Sequence, residues 1–123
     1  MENPHIGYIL VVDDLADNLV LMKTVLEAKG YLVDVADSGT LALAKIEAFP
    51  PALILLDLMM PNMDGFEVTR RLQQNEQLSS VPILIVTANR DVKEDQGLAI
   101  GVNGFIRKPV DFDELLEKVE AFC

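Results

Sequence analysis

Four short stretches of this 123-residue chain place chemically capable side chains at or just after the end of an apolar run. "LVVDD" ends in Asp13 and Asp14, "LILLD" in Asp57, "PILIVT" in Thr87, and "GFIRKP" carries Lys108. Two like charges 4–5 Å apart cost about 3–4 kcal/mol at an effective dielectric near 20. Three acids gathered at one point would therefore relieve their repulsion by taking up a proton or by binding a divalent cation. Carboxylate oxygens at an open site favour Mg2+, which commonly keeps several waters, and one lysine cannot neutralise three acids. A cation held by acids beside an ammonium and a hydroxyl is equipment for receiving a phosphoryl group: cation and Lys108 neutralise its oxygens and Thr87 donates to one of them. Asp57 stands alone at its run, which leaves the Asp13–Asp14 pair to hold metal. An aspartate carboxylate is a competent covalent phosphoryl carrier, so Asp57 is the expected nucleophile.

Singly, each of these residues has an ordinary explanation. An aspartate after a strand usually caps or turns the chain, a threonine there is usually structural, and a lysine before proline usually lies on the surface. The reading rests on their joint occurrence at successive run ends, in a chain with little other chemistry. The one histidine, His5, lies in a polar N-terminal stretch, and the one cysteine, Cys123, is the last residue. No internal disulfide, Cys/His zinc site or Cys–His nucleophilic pair is open to such a chain.

The elements that must position these side chains show as an alternation. Apolar runs recur at 8–12, 31–36, 52–56, 82–86 and 104–106. The first, third and fourth are almost continuous in Ile, Leu and Val, the pattern of strands covered on both faces. Helical spacing fills the gaps. Leu19, Met22 and Leu26 fall at i, i+3 and i+7, with Gly30 as the expected stop. Ser38 is the expected N-cap of a second helix that ends before Pro50. A third runs from Asp64 or Gly65 to about Gln74 and carries Phe66 and Leu72. A fourth covers roughly 92–100, weakened by Gly97. A fifth opens at Asp111, with Glu114 as the other half of a capping box, and continues through Leu115, Leu116 and Val119.

Strand and helix alternating five times predicts an α/β fold, a doubly wound five-stranded parallel sheet with five helices and right-handed crossovers. In such a sheet the carboxyl ends of the strands share one edge, and ligands bind where the strand order reverses. If the reversal follows strand two, Asp13, Asp14, Asp57, Thr87 and Lys108 converge.

Composition limits the partners. Twenty acids against ten bases give a formal net charge of −10, which repels nucleic-acid phosphate and anionic lipid and argues against either as a direct partner. Half of the residues are hydrophobic and 24% are charged, ordinary for a folded domain with one core. No apolar run approaches the roughly 20 residues needed to span a bilayer, and "MENPHIGY" lacks the regions of a signal peptide. The missing disulfide framework fits a reducing compartment. The expectation is a single cytoplasmic domain, residues 1–123, with its core at about 8–122.

With "LVVDD", "LILLDLMMPNMDGFEV", "PILIVTA" and "GFIRKP" in that order, the chain strongly resembles the receiver domains of two-component response regulators, from about Tyr8 to Phe122. The resemblance implies the flavodoxin-like strand order 2-1-3-4-5 and a phosphoprotein that takes its phosphoryl group on Asp57 as an aspartyl phosphate. It implies that Asp14 and Asp57 bind Mg2+ directly, Asp13 chiefly through water, and the Met59 backbone carbonyl completes the protein's share. Lys108 would pair with the acceptor and then with the phosphoryl group, across a cis bond to Pro109. Thr87 would move to the phosphoryl oxygen, small Ala88 would leave it room, and Phe105 would be the switch aromatic that turns inward as Thr87 moves. Gly65 would supply backbone freedom after the acceptor loop. Met59 and Asn89, two residues past Asp57 and Thr87, would border the path of an attacking water.

The implied donor is a sensor histidine kinase or a histidine phosphotransfer protein, docking around Leu15, Asn18 and Leu19. The implied output is a change in the face of the fourth helix, fifth strand and fifth helix, read by a partner protein or effector domain, with a phosphorylation-dependent homodimer also allowed. Such a domain is a phosphorelay module and not an enzyme on a separate substrate; it assists only its own phosphorylation and dephosphorylation. One rival reading is a phosphorylation-independent interaction receiver. Another is an aspartate-nucleophile phosphohydrolase, which needs a second acid where Met59 stands. A third, a flavodoxin-like electron carrier, needs a Ser/Thr-rich phosphate loop where "DDLADN" is acidic. The sequence leaves open whether the domain works alone or within a longer regulator.

Overall fold

Each apolar run becomes a strand, and each stretch of helical spacing a helix packed on the sheet. In order these are β1 (Tyr8–Val12), α1 (Ala16–Ala28), β2 (Leu32–Ala36), α2 (Gly39–Ala48), β3 (Leu53–Asp57), α3 (Gly65–Gln73), β4 (Ile83–Thr87), α4 (Glu94–Ile100), β5 (Gly104–Arg107) and α5 (Phe112–Phe122). The structure, a computed structural model, describes residues 7–88 and 94–123, apart from the side chains of Glu94 and Asp95. The start of the expected fourth helix at 92 and the residue Asn89 lie outside the described residues.

All four strand pairings are parallel, in the order β2-β1-β3-β4-β5. This is the doubly wound, flavodoxin-like sheet expected from the alternation. β3 and β4 are buried along their whole length, as central strands covered on both faces must be. On one face, Leu19, Met22 and Leu26 of α1 and Leu115 and Val119 of α5 pack on Ile9, Val11, Leu55 and Val86. On the other, Ala42 and Ile46 of α2 and Val68 and Leu72 of α3 pack with Leu10, Ile54, Ile85 and Phe105. Burial at about 25 cal/mol per Å2 of apolar surface makes these two layers the main term holding the sheet.

Local chemistry sets the helix ends. Ser38 accepts from the Leu41 N–H at 3.1 Å, and Asp64 from the Glu67 N–H at 2.8 Å. Asp111 accepts from both Asp113 and Glu114 N–H groups, the expected first half of a capping box, while the Glu114 carboxylate lies 3.9 Å from Lys118. The Gly30 and Tyr31 N–H groups bond back to Glu27 and Leu26, closing α1 where expected.

Two expectations need correction. Leu19 is 7% exposed and faces the sheet; its i, i+3, i+7 register with Met22 and Leu26 makes it core and removes it from any docking surface. The exposed apolar residues of α1 are Val20 and Leu21, with Leu15 just before it. Gly97 is also more than a weak point in α4. A Cβ there would stand 2.5 Å from Cζ of Phe105 and 2.8 Å from Val102, closer than side-chain carbons approach, so the missing side chain is what lets Phe105 be buried.

Candidate functional site

Because every strand runs the same way, the residues that end β1, β3, β4 and β5 meet at one edge. β1 and β3 are neighbours although α1, β2 and α2 separate them in sequence, so the reversal in strand order brings Asp13 and Asp14 beside Asp57. Among the described residues, one carboxylate oxygen from each of these three acids lies within 4.8 Å of the others. Asp13 and Asp57 are buried and Asp14 is exposed, so the cluster opens to solvent on the Asp14 side.

Lys108 reaches the cluster from β5. Its backbone N–H donates to the Thr87 carbonyl at 2.9 Å, anchoring the residue at the β4 tip, and the Lys108–Pro109 bond is cis, as the resemblance implied. From there Nζ lies 3.1 Å from Asp13 Oδ2 and 3.5 Å from Asp57 Oδ2. The ammonium bridges two of the three acids and remains partly exposed.

The acids are held differently. Asp57 accepts from the Met59 N–H at 3.1 Å through Oδ1. Burial raises its pKa above the ordinary carboxylate value; the Met59 N–H and Lys108 pull it down, Asp13 pushes it up further, and the net direction is upward. Asp13 is held more tightly. Its Oδ1 accepts from the Leu15 N–H at 2.9 Å, and its Oδ2 from Asn18 Nδ2 and Lys108 Nζ, both at 3.1 Å. The Asn18 contact had no signal in the sequence: an amide five residues after an acid becomes its partner only when a turn and the first turn of a helix fold the chain back.

The loop after β3 packs against the start of α3 without space between. A Cβ on Gly65 would stand 2.7 Å from the Asp57 carbonyl oxygen and 3.0 Å from the Leu58 Cα, and the Gly65 N–H donates to the Leu58 carbonyl at 2.9 Å. Glycine here is a matter of close backbone approach. Thr87 ends β4 fully buried, and Ala88 beyond it is exposed. Phe105 is 4% exposed, so the ring implied to turn inward already lies inward, packed in the core with Ile85 and Val102, with the Arg107 guanidinium 5.4 Å from its ring centroid. Met59 is 57% exposed at the rim. Beside the acids, an apolar cavity of about 310 Å3 lies between α1 and the segment after β5, lined among others by Leu21, Met22, Val86, Pro109 and Phe112. No helix among the described residues is long and apolar enough to cross a membrane.

Comparison with known proteins gives one answer. The family described as "Response regulator receiver domain" matches residues 9–120. The chain is 41% identical over 115 residues to "Response regulator PleD" of Caulobacter vibrioides, covering 92% of this chain and 25% of the relative. It is 44% identical over 108 residues to "Sensor protein EvgS" of Escherichia coli, covering 87% of this chain and 9% of the relative. The chain thus spans a quarter or less of the length of these two relatives. Among solved structures, the chemotaxis protein CheY4 of Vibrio cholerae superimposes with a TM-score of 0.88 at 30% identity, covering 95% of this chain and 98% of that one.

Proposed function

The chain belongs to the response regulator receiver domain family, whose members are signalling modules, and from that membership we propose that it is a phosphorelay receiver whose acceptor is Asp57. The observation that carries the proposal is the convergence of Asp13, Asp14 and Asp57 within 4.8 Å of one another, with Lys108 3.5 Å from Asp57. The acids lie at the ends of two strands and the lysine beyond a third, and like charges gathered in this way repel one another without a cation. Residues 1–123 are read as one receiver domain.

The acid cluster fits Mg2+. All three ligands are hard oxygens, and one of the acids is exposed, which suits an ion that keeps several waters. Two oxygens bound directly to Mg2+ lie no more than about 4.2 Å apart, so a cluster of this breadth suits an ion met partly through water. Asp14, Asp57 and the Met59 carbonyl would hold it directly and Asp13 through water. When bound, Mg2+ supplies positive charge that offsets the negative charge of the phosphoryl oxygens.

The chain's own residues do the rest. Asp57 must be ionised to attack, and its raised pKa means that burial works against this until positive charge is added. One Asp57 oxygen forms a bond to phosphorus as the N–P bond of a donor phosphohistidine breaks, and the electron pair of that bond stays on the imidazole nitrogen. Lys108, already between Asp13 and Asp57, stabilises the charge that develops on the phosphoryl oxygens. Thr87 would turn toward that group, while Phe105, already buried, would hold the inward position. The new charge, roughly −1.5 to −2 by analogy with phosphoserine, would then bias the packing of α4, β5 and α5, the face that a partner protein or effector domain reads. The donor would dock on α1 around Leu15, Val20 and Leu21, next to the apolar cavity.

The test is to incubate the protein with Mg2+ and acetyl phosphate and follow its intact mass. Gain of one phosphoryl group by the wild type and none by Asp57→Asn supports the proposal. An equal gain by both proteins would place the acceptor elsewhere and refute it.

Met59 sets a second expectation. Its exposed apolar side chain stands at the rim, where it cannot orient a hydrolytic water. Met59→Asn is expected to speed loss of the phosphoryl group on the order of tenfold, the scale of orienting a reactant. Decay of the purified phosphoprotein measures this, and an unchanged or slower decay in the variant would show that the position does not control the rate.

A further inference from the structure

The amide of Asn18 is bonded to Asp13, an arrangement that docking does not explain. We propose that Asn18 is a positioning residue for the acid cluster, setting the direction of Asp13 and the share of Lys108 that remains for Asp57. This inference rests on the receiver reading above and adds a residue to it.

The argument is one of counting acceptor sites. An ionised carboxylate offers about four lone-pair positions. On Asp13 three are taken: Oδ1 by the Leu15 N–H at 2.9 Å, and Oδ2 by Asn18 Nδ2 and Lys108 Nζ at 3.1 Å each. Both lone pairs of Oδ2 are used, so the one position left for a metal or its water is on Oδ1. Asn18 thereby decides which oxygen of Asp13 faces the cluster.

It also divides Lys108. Asp13 is 95 positions away in sequence and yet is the nearer of the two acids to the ammonium, at 3.1 Å against 3.5 Å for Asp57. The Asn18 N–H occupies part of the Oδ2 charge that would otherwise draw Lys108 still closer. Without it, Oδ2 has a free lone pair, the carboxylate turns more easily, and the Asp13–Lys108 pair tightens at the expense of Asp57. Position adds to the case. Asn18 sits in the first turn of α1, with its backbone N–H bonded to the Leu15 carbonyl at 3.1 Å, so backbone and side chain are fixed by the same turn that supplies the Leu15 N–H to Asp13. The residue is half-buried.

The experiment compares Asn18→Leu, similar in size and without a donor, with Thr24→Ala on the exposed side of the same helix. Mg2+ alone is titrated into each protein, with the amide NMR shifts of residues around Asp13 and Asp57 as readout. Phosphorylation is then measured with acetyl phosphate, which has no docking surface, and with a phosphorylated histidine phosphotransfer protein. Asn18→Leu is expected to weaken Mg2+ binding about tenfold, the lower end for loss of a group that orients a ligand, and to slow phosphorylation by both donors. Thr24→Ala is expected to leave Mg2+ binding and both phosphorylation rates unchanged. Asn18→Ser, which keeps a donor on a short side chain, is expected to recover part of the loss. If Asn18→Leu slows only the protein donor, Asn18 is a docking residue and the inference is overturned. If wild type neither binds Mg2+ nor is modified on Asp57, the receiver reading itself fails, a distinguishable result.

Discussion

Asp57→Asn is expected to abolish phosphorylation and, in Mg2+-free buffer near neutral pH, to make the protein more stable than wild type. The first effect is chemical, because a neutral amide offers no anionic oxygen to attack phosphorus. The second follows from the cluster. Asp57 is buried among acids within 4.8 Å and has one lysine to share with Asp13. Removing one charge relieves repulsion of about 3–4 kcal/mol gross from each of the two neighbouring acids. Lost attraction to Lys108 at 3.5 Å, about 4–5 kcal/mol by the same formula, offsets most of that, leaving a net gain of about 1–3 kcal/mol.

The pH dependence has a definite sign. The folded-state pKa of Asp57 lies above its unfolded value, chiefly through burial, so between the two values the native state holds more protons and stability falls as pH rises. Asparagine does not titrate. The advantage of Asp57→Asn should therefore be absent below the ordinary aspartate range, appear as pH rises through the raised pKa, and be complete near neutrality. Mg2+ acts the other way: it binds the native wild type and stabilises it by RT ln(1 + [Mg2+]/Kd), so millimolar Mg2+ should narrow the gap. Urea unfolding at acid and neutral pH, with and without Mg2+, measures all of this. A wild type more stable than the variant at neutral pH without Mg2+ would mean that the three acids do not strain the fold.

Gly97→Ala is expected to destabilise the fold by about 1–2 kcal/mol and to move Phe105. An alanine in a helix interior ordinarily gains about 1 kcal/mol over glycine, so the sign depends on the contact. The added Cβ would meet Phe105 at 2.5 and 2.7 Å and Val102 at 2.8 Å. Either α4 shifts, at the 1–3 kcal/mol typical of overpacking, or the ring leaves its site and gives up about 1.5–3 kcal/mol of burial. Each outweighs the helix propensity. The control is the same change in a Phe105→Ala background, where the obstacle is gone and Gly97→Ala should become neutral or stabilising. Thermal unfolding of the four proteins gives the coupling directly, and equal effects of Gly97→Ala in both backgrounds would exclude the ring contact. Since Phe105 and α4 belong to the proposed output face, the single variant should also alter the difference in partner binding between the phosphorylated and unphosphorylated protein.

Much of this molecule was legible from local pattern. Leu19, Met22 and Leu26 at i, i+3 and i+7 are the residues α1 buries, because helical period and core face are one fact. The nearly unbroken apolar runs of β3 and β4 are buried throughout, because only a strand covered on both faces can omit polar residues. Asp57 and Thr87 close their strands, and Ser38 caps α2 through its own side chain. Each depends on neighbours a few positions away, which the sequence states outright.

Other features depend on what the fold brings from a distance. Nothing near Gly97 says that Phe105 will need the space of its missing side chain, and helix propensity alone makes it only a weak point. Nothing near Asn18 says that Asp13 turns back to meet it while Lys108 arrives at the same oxygen from 95 residues on. Leu19 comes four positions after Leu15, yet one is core and the other exposed. The sequence by itself determined the elements, their alternation and the kind of chemistry their ends could carry, since period and charge are local properties. Tertiary structure alone decided which donors share an acid and which glycine makes room for a ring, because those contacts form between elements whose separation is set by strand order and packing.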